Sequence, residues 1–181
     1  MNFVQPIRDP EIIADIKVVL KERSLRNFIF FLSGINSGLR VSDLLKLRVR
    51  DVLGTHISIR EKKTNKQKLV LITPELKREL KEYVQGMHSN DFLFQSRQGH
   101  NRPIGRSAAY KMLRKVAEEF DLQDIGCHTL RKTFGYWHYK QFKDVAMLMT
   151  HFNHSGEKVT LRYIGELQDS MDTAMKHLKI G

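Results

Sequence analysis

This sequence predicts a mainly α fold with one small antiparallel β-sheet, in the α+β class. Three observations lead there. Apolar residues recur at helical spacing over most of the 181 residues. Helix-start pairs, Asp9-Pro10 and Thr73-Pro74, stand at the heads of two such runs. The apolar period shortens to two only between residues 56 and 72, on either side of a basic run. A 41% hydrophobic content is enough for a core, and no repeat or Gly/Ser-rich linker divides the chain, so residues 1–181 are expected as a single domain.

Each element has its own justification. Asp9 and Pro10 read as N-cap and first residue of a helix that lines up Ile12, Ile13, Ile16, Val19 and Leu20. Ser24 caps a second helix through Leu25, Phe28, Ile29, Phe31 and Leu32, with Gly38 as its stop. Ser42 is expected to cap a short helix carrying Leu44, Leu45 and Leu47. Residues 56–60 and 68–72 then alternate as paired strands, and the basic segment between them forms the hairpin. Thr73-Pro74-Glu75 opens a helix that puts Leu76, Leu80, Tyr83 and Val84 on one face. Phe92-Leu93-Phe94 is expected as a short buried strand, and helices are expected over 107–120, 129–142, 144–152 and 166–178.

Charge narrows the partners. Lys plus Arg number 31 against 20 for Asp plus Glu, a net +11 that calls for a polyanion, nucleic acid first and an anionic membrane surface second. The middle third carries the largest excess, and Arg60, Lys62, Lys63, Lys66 and Lys68 surround the single acid Glu61. The longest apolar run, residues 28–32, is far too short to span a bilayer, and the N-terminus has no secretory pattern. One cysteine, Cys127, rules out an internal disulfide and fits a reducing compartment, so a cytoplasmic location is expected.

Three stretches carry more chemistry than a scaffold needs. They are Gly38-Leu39-Arg40-Val41-Ser42-Asp43-Leu44-Leu45, then His128-Thr129-Leu130-Arg131, then His154-Ser155-Gly156 with Tyr163 nine residues beyond the histidine. Taken alone, Arg40 and Asp43 are an ordinary i,i+3 ion pair, and Tyr163 shares helical spacing with Val159 and Leu167 as a core aromatic would. Tyr136 and Tyr139 are rival phenols, but they lie among Phe134 and Trp137 and read as packing residues. A zinc set of His151, His154, Cys127 and His128 lacks both a second cysteine and an i,i+4 histidine pair, and no metal is expected.

In their order and spacing, these stretches resemble the tyrosine recombinase (phage integrase) family. Arg40 fits the arginine of its Gly-Leu-Arg-x-Ser-(Glu/Asp)-Leu box. His128 and Arg131 fit its His-x-Leu-Arg box, and His154 and Tyr163 fit its last box and nucleophile. Lys63, in Lys63-Thr64-Asn65-Lys66, fits the lysine that the family places on a hairpin turn, with Lys66 as runner-up. The resemblance runs from about Leu25 to the C-terminus and implies the fold of that family's catalytic domain. It departs at Phe152-Asn153 for Leu-Gly, at Gly156 for a second serine, and at Thr160-Leu161 for paired threonines. Too few residues precede the matched region for the N-terminal DNA-binding domain that members commonly carry, so that domain is expected to be absent.

What the resemblance implies is site-specific DNA strand cleavage and religation through a 3′-phosphotyrosyl link. Tyr163 would be the nucleophile, Arg40 and Arg131 the clamp on the phosphate oxygens, and Lys63 the acid for the leaving 5′-oxygen. His128 would handle the phenolic proton and His154 would hydrogen-bond the phosphate. Asp43 would orient the arginine or the local fold. Lys62, Lys66 and Lys68 are expected to bind the DNA backbone. No cofactor is implied. The expected partners are double-stranded DNA, further copies of the chain (a tetramer on synapsed DNA, a weak monomer or dimer when free), and accessory DNA-bending or directionality proteins. The helix over 166–178 would exchange onto a neighbouring protomer. Two rival functions share parts of this pattern: type IB topoisomerase-like relaxation, and a catalytically silent DNA-binding accessory role.

Overall fold

The computed structural model describes residues 4–63 and 65–180, so Thr64 of the hairpin motif lies outside the described residues. The chain folds as helices α1 (Pro10–Arg23), α2 (Leu25–Ser37) and α3 (Val41–Leu44), then strands β1 (His56–Arg60) and β2 (Gln67–Leu71), then α4 (Pro74–Tyr83), α5 (Arg106–Glu119), α6 (Thr129–Phe142), α7 (Val145–Phe152), α8 (Glu157–Ile164) and α9 (Glu166–Lys176). The two strands are antiparallel, with Ile57 opposite Val70 and Ile59 opposite Lys68. A mainly α fold with a small antiparallel sheet is therefore what forms.

The helix starts obey local chemistry. Asp9 accepts from the backbone N–H groups of Glu11 and Ile12, Ser24 from that of Asn27, and Thr73 from that of Leu76. Helix α2 is the centre of the molecule: Phe28, Ile29, Phe30, Phe31 and Leu32 are buried all round it. It packs on α6 so closely that a Cβ at Gly34 would meet Leu130 at 2.5 Å. It ends at Gly38, whose φ of +60° is cheap only for glycine. A second, smaller cluster of Tyr136, Leu148, Phe152 and Ile164 joins α6, α7 and α8 beneath the site.

Several expectations need correction. Arg40, in extended backbone, is the N-cap of α3, and Ser42 lies inside its first turn. Phe92 only bridges Arg48, with no strand formed there. Residues 157–176 are two helices broken at Gly165, where φ is +88°, so Tyr163 and Leu167 do not share one helical face. Helix α9 touches the body through Glu166 and Asp169, while Met171 and Met175 stay exposed.

Candidate active site

The reversal at Gly38 sets the first functional side chain. It buries Leu39 and turns Arg40 toward the end of β1. There Arg40 Nη1 donates to Glu61 Oε1 at 2.8 Å, while Asp43 Oδ2 is 3.9 Å away. Asp43 is almost fully buried, and its Oδ1 accepts from the Lys62 backbone N–H at 2.9 Å, so this acid pins the hairpin. Lys62, Lys63 and Lys66 are exposed on that hairpin, and Lys66 Nζ donates to Asn153 Oδ1 at 3.0 Å. Lys63 is near enough for its charge to act on His154.

Lys68 lies elsewhere than the sequence suggests. Strand alternation turns it inward together with Val70 and leaves Leu69 and Leu71 exposed. Its amine lies 3.7 Å from Glu61 Oε1 and donates to the His151 carbonyl. Desolvation, followed by the charge of Arg131, lowers it to about 8. It is a half-buried neighbour of Glu61, set apart from the exposed lysines of the hairpin.

Arg131 is the structural centre. Only 2% exposed, it donates to the carbonyls of Gly38 at 2.6 Å and Phe152 at 3.2 Å, and its guanidinium lies 4.4 Å over the Phe152 ring. Burial pulls its pKa down from the ordinary value. His128, the N-cap of α6, is held below its ordinary value first by desolvation of its ring and then by Arg106, Arg131, Lys132 and Arg40. His154 follows Asn153, the left-handed residue that ends α7. Burial, then Arg131, Arg40 and Lys63, push its imidazole down too, so both rings favour the neutral form.

Thr160 fixes the orientation of His154. The threonine hydroxyl donates to the Gly156 carbonyl, so its oxygen accepts from His154 Nδ1 at 3.1 Å. Nε2 is left for a ligand.

Tyr163 stands edge-on to His154 at 5.0 Å and to Phe152 at 5.4 Å. Burial raises its phenol, while the charges of Arg131 and Arg40 pull it back down. The Lys132 amine lies 5.2 Å over its ring. Arg40, Arg131, His128, His154 and Tyr163 are thus brought into one electrostatic cluster from four separate segments. By contrast, Tyr136 packs edge-on to Trp137 in the smaller core.

Among the described residues, no group of three or more His, Cys, Asp or Glu side chains is placed to hold a metal ion. His151 Nε2 is turned instead to the Ser37 carbonyl at 2.9 Å. Sequence reasoning missed Glu61, although a signal was present. Carried one step past β1, the alternation that buries Ile57 and half-buries Ile59 points Glu61 inward.

Together these groups can hold a tetrahedral or pentacoordinate phosphorus between two guanidiniums, with a phenol in reach and neutral imidazoles beside it. Comparison with known proteins bears on the family and the fold. Residues 10–169 match the phage integrase family. A probable integrase/recombinase, YoeC of Bacillus subtilis, is 44% identical over 177 residues, covering 97% of both chains. The tyrosine recombinase XerA of Saccharolobus solfataricus is 26% identical, over 76% of this chain and 45% of its own. In fold, the chain matches XerH in a post-cleavage complex with a palindromic difH substrate at a TM-score of 0.75, with 18% identity, over 97% of this chain and 53% of that one. A crystal structure of XerA recombinase matches at 0.74, over 98% of this chain and 67% of that one. The chain thus spans about half the length of the XerH chain.

Proposed function

The chain belongs to the phage integrase family, and from that premise we propose that it is a site-specific DNA recombinase acting through a 3′-phosphotyrosyl intermediate. The observation that carries this reading is the meeting of two arginines, two histidines and a tyrosine whose half-buried phenol feels the charge of both arginines. Residues 1–181 act as a single catalytic domain on double-stranded DNA, in the cytoplasm. No helix among the described residues is long and apolar enough to cross a membrane.

The chemistry follows from the side chains. The Tyr163 oxygen attacks phosphorus, its proton passing to neutral His128, and the bond to the 5′-oxygen breaks as Lys63 protonates that oxygen. Charge accumulating on the nonbridging oxygens is met by Arg40 and Arg131. His154 Nε2 donates to the phosphate once protonated, a state that the phosphate charge itself favours. A free 5′-hydroxyl from another duplex reverses the steps. Lys62 and Lys66 add backbone affinity, and with it salt dependence.

Strand exchange needs more than one copy. The exposed Met171 and Met175 on α9 and a groove of about 830 Å³ lined by Leu69, Leu71, Phe134, Trp137, Phe142 and Met147 are complementary in chemistry. We assign the first to the second of a neighbouring protomer, closing a tetramer on DNA from weakly associated free chains, with accessory proteins setting direction.

The test is a covalent trap. The protein is mixed with nicked duplexes that lose the leaving strand, denatured, and mapped by mass spectrometry. An adduct on Tyr163, absent in Tyr163→Phe, is expected. DNA binding with no adduct would favour the silent accessory role, and supercoil relaxation without junctions between duplexes would favour the topoisomerase-like one.

A further inference from the structure

The chemistry above leaves a buried acid unassigned. Glu61 is 5% exposed, and its Oε1 lies between Arg40 Nη1 at 2.8 Å and Lys68 Nζ at 3.7 Å. Lys68 also reaches the carbonyl of His151 on α7. Asp43, expected to orient either Arg40 or the local fold, stands 3.9 Å off and is committed to the hairpin backbone.

We infer that Glu61 is the positioning residue for Arg40: held from behind by Lys68, its carboxylate fixes one edge of the guanidinium and leaves the rest to the DNA phosphate. This rests on the recombinase reading of the site.

A carboxylate this close to a phosphate-binding arginine could instead occupy the phosphate's own seat, and the DNA affinity of a variant without the acid separates the two roles. Glu61 acts electrostatically on Lys68, Arg131 and His151. Arg40 acts on Lys68 and Arg131 as well, and also on His128, His154 and Tyr163.

The physics favours such a device. A guanidinium on a flexible stem loses rotamer freedom when one edge is held by a charge-assisted bond, so less ordering remains to be paid on binding phosphate. The acid also offsets three neighbouring cations, Arg40, Lys68 and Arg131. Without it their repulsion would push Arg40, the most exposed of them, outward.

Three variants test this: Glu61→Gln, which keeps an acceptor and removes the charge, Glu61→Ala, which removes both, and Lys63→Ala as comparison. Single-turnover cleavage of the nicked duplex should fall about 10²-fold in Glu61→Ala and less in Glu61→Gln, as expected for a misplaced reacting group, with DNA affinity unchanged. A 5′-bridging sulfur, whose leaving group needs no proton, should rescue Lys63→Ala and not Glu61→Ala. Rescue of Glu61→Ala would show that the acid serves the hairpin lysine, and tighter DNA binding would show that it competes with phosphate. Wild-type cleavage would also overturn the inference.

One measurement is independent of activity. In the free protein, the two Arg40 Nη resonances should be separate in the wild type and merge in Glu61→Ala as the guanidinium rotates freely. Unchanged spectra would refute the contact. If the wild type forms no Tyr163 adduct, the recombinase reading fails, while these spectra still decide whether Glu61 holds Arg40. Should Glu61→Ala not fold, Glu61→Gln carries the same comparisons.

Discussion

Arg131→Lys is the substitution that tests both halves of the site at once. The native guanidinium makes two charge-assisted hydrogen bonds, to the carbonyls of Gly38 and Phe152, at 2% exposure. A lysine keeps the charge but has no planar fork, so it reaches one carbonyl and leaves the other buried without a partner. Losing one hydrogen bond to a charged group costs about 1.5–3 kcal/mol, which for a chain of this length is roughly 3–12 °C in melting temperature. The phosphate also loses one of its two forks, which lowers the single-turnover cleavage rate by about 10²–10³-fold. The remaining ammonium would not match the guanidinium even in charge. Burial lowers the neighbouring Lys68 amine and pulls Arg131 itself down, so the substituted amine would hold its proton less firmly than arginine does as pH rises. Urea unfolding, followed by circular dichroism, and cleavage of the nicked duplex from pH 7 to pH 9 measure the two effects. Wild-type stability would show that the carbonyl contacts hold nothing. Cleavage at the wild-type rate would remove Arg131 from the clamp.

Three further outcomes are expected. Lys63→Ala should lose cleavage of ordinary DNA and recover it on a 5′-bridging sulfur substrate; if Lys66→Ala alone behaves this way, the general acid is Lys66. His151 is held at about 3 by burial, so above its ordinary value it costs the fold nothing, and stability is lost as pH falls because the unfolded chain takes up the proton first. Between pH 7 and pH 5 this amounts to about 2 kcal/mol, and His151→Leu should flatten the urea-midpoint slope by that amount; an unchanged slope would mean the ring titrates normally in the fold. Deleting residues 166–181 removes the exposed Met171 and Met175 and the Arg8–Asp169 and Lys140–Glu166 pairs. DNA affinity should survive and tetramer formation on synapsed duplexes should be lost, and intact tetramers would dissociate α9 from assembly.

The elements legible in the sequence were those whose signals are local. Asp9, Ser24 and Thr73 cap their helices because a short side chain accepting from the next turn needs no tertiary partner. Gly38 stops α2 for the same kind of reason. Failures came where a distant partner decides. Residues 68–72, Lys-Leu-Val-Leu-Ile, are nearly all apolar, so alternation alone did not say which face turns in. Pairing with β1 buries Val70, half-buries Lys68 and exposes Leu69 at 66% and Leu71 at 63%. Sequence spacing leaves Asp43 between Arg40 and the local fold and gives Glu61 no part: position i+3 went to the hairpin backbone, and the residue 21 positions away took the arginine. Both outcomes depend on the hairpin end of β1 meeting Arg40 and Asp43; the alternation of β1 signals that Glu61 turns inward but not which side chain it meets.

That dependence has a consequence for how the site fails. Arg131 fastens the end of α2, through Gly38, to the end of α7, through Phe152, while standing on α6. Those two ends position Arg40 and His154. One side chain therefore holds together the three segments that supply the phosphate contacts, and its loss should lower stability and cleavage in proportion. Tyr163 and Lys63 hold no such joint: the phenol sits at the end of α8 and the amine on an exposed turn. Variants of these two should lose chemistry while keeping the wild-type unfolding midpoint. A set of variants at Arg131, Tyr163 and Lys63 that fell on one common line of activity against stability would contradict this division, and would mean that the site works only through the fold.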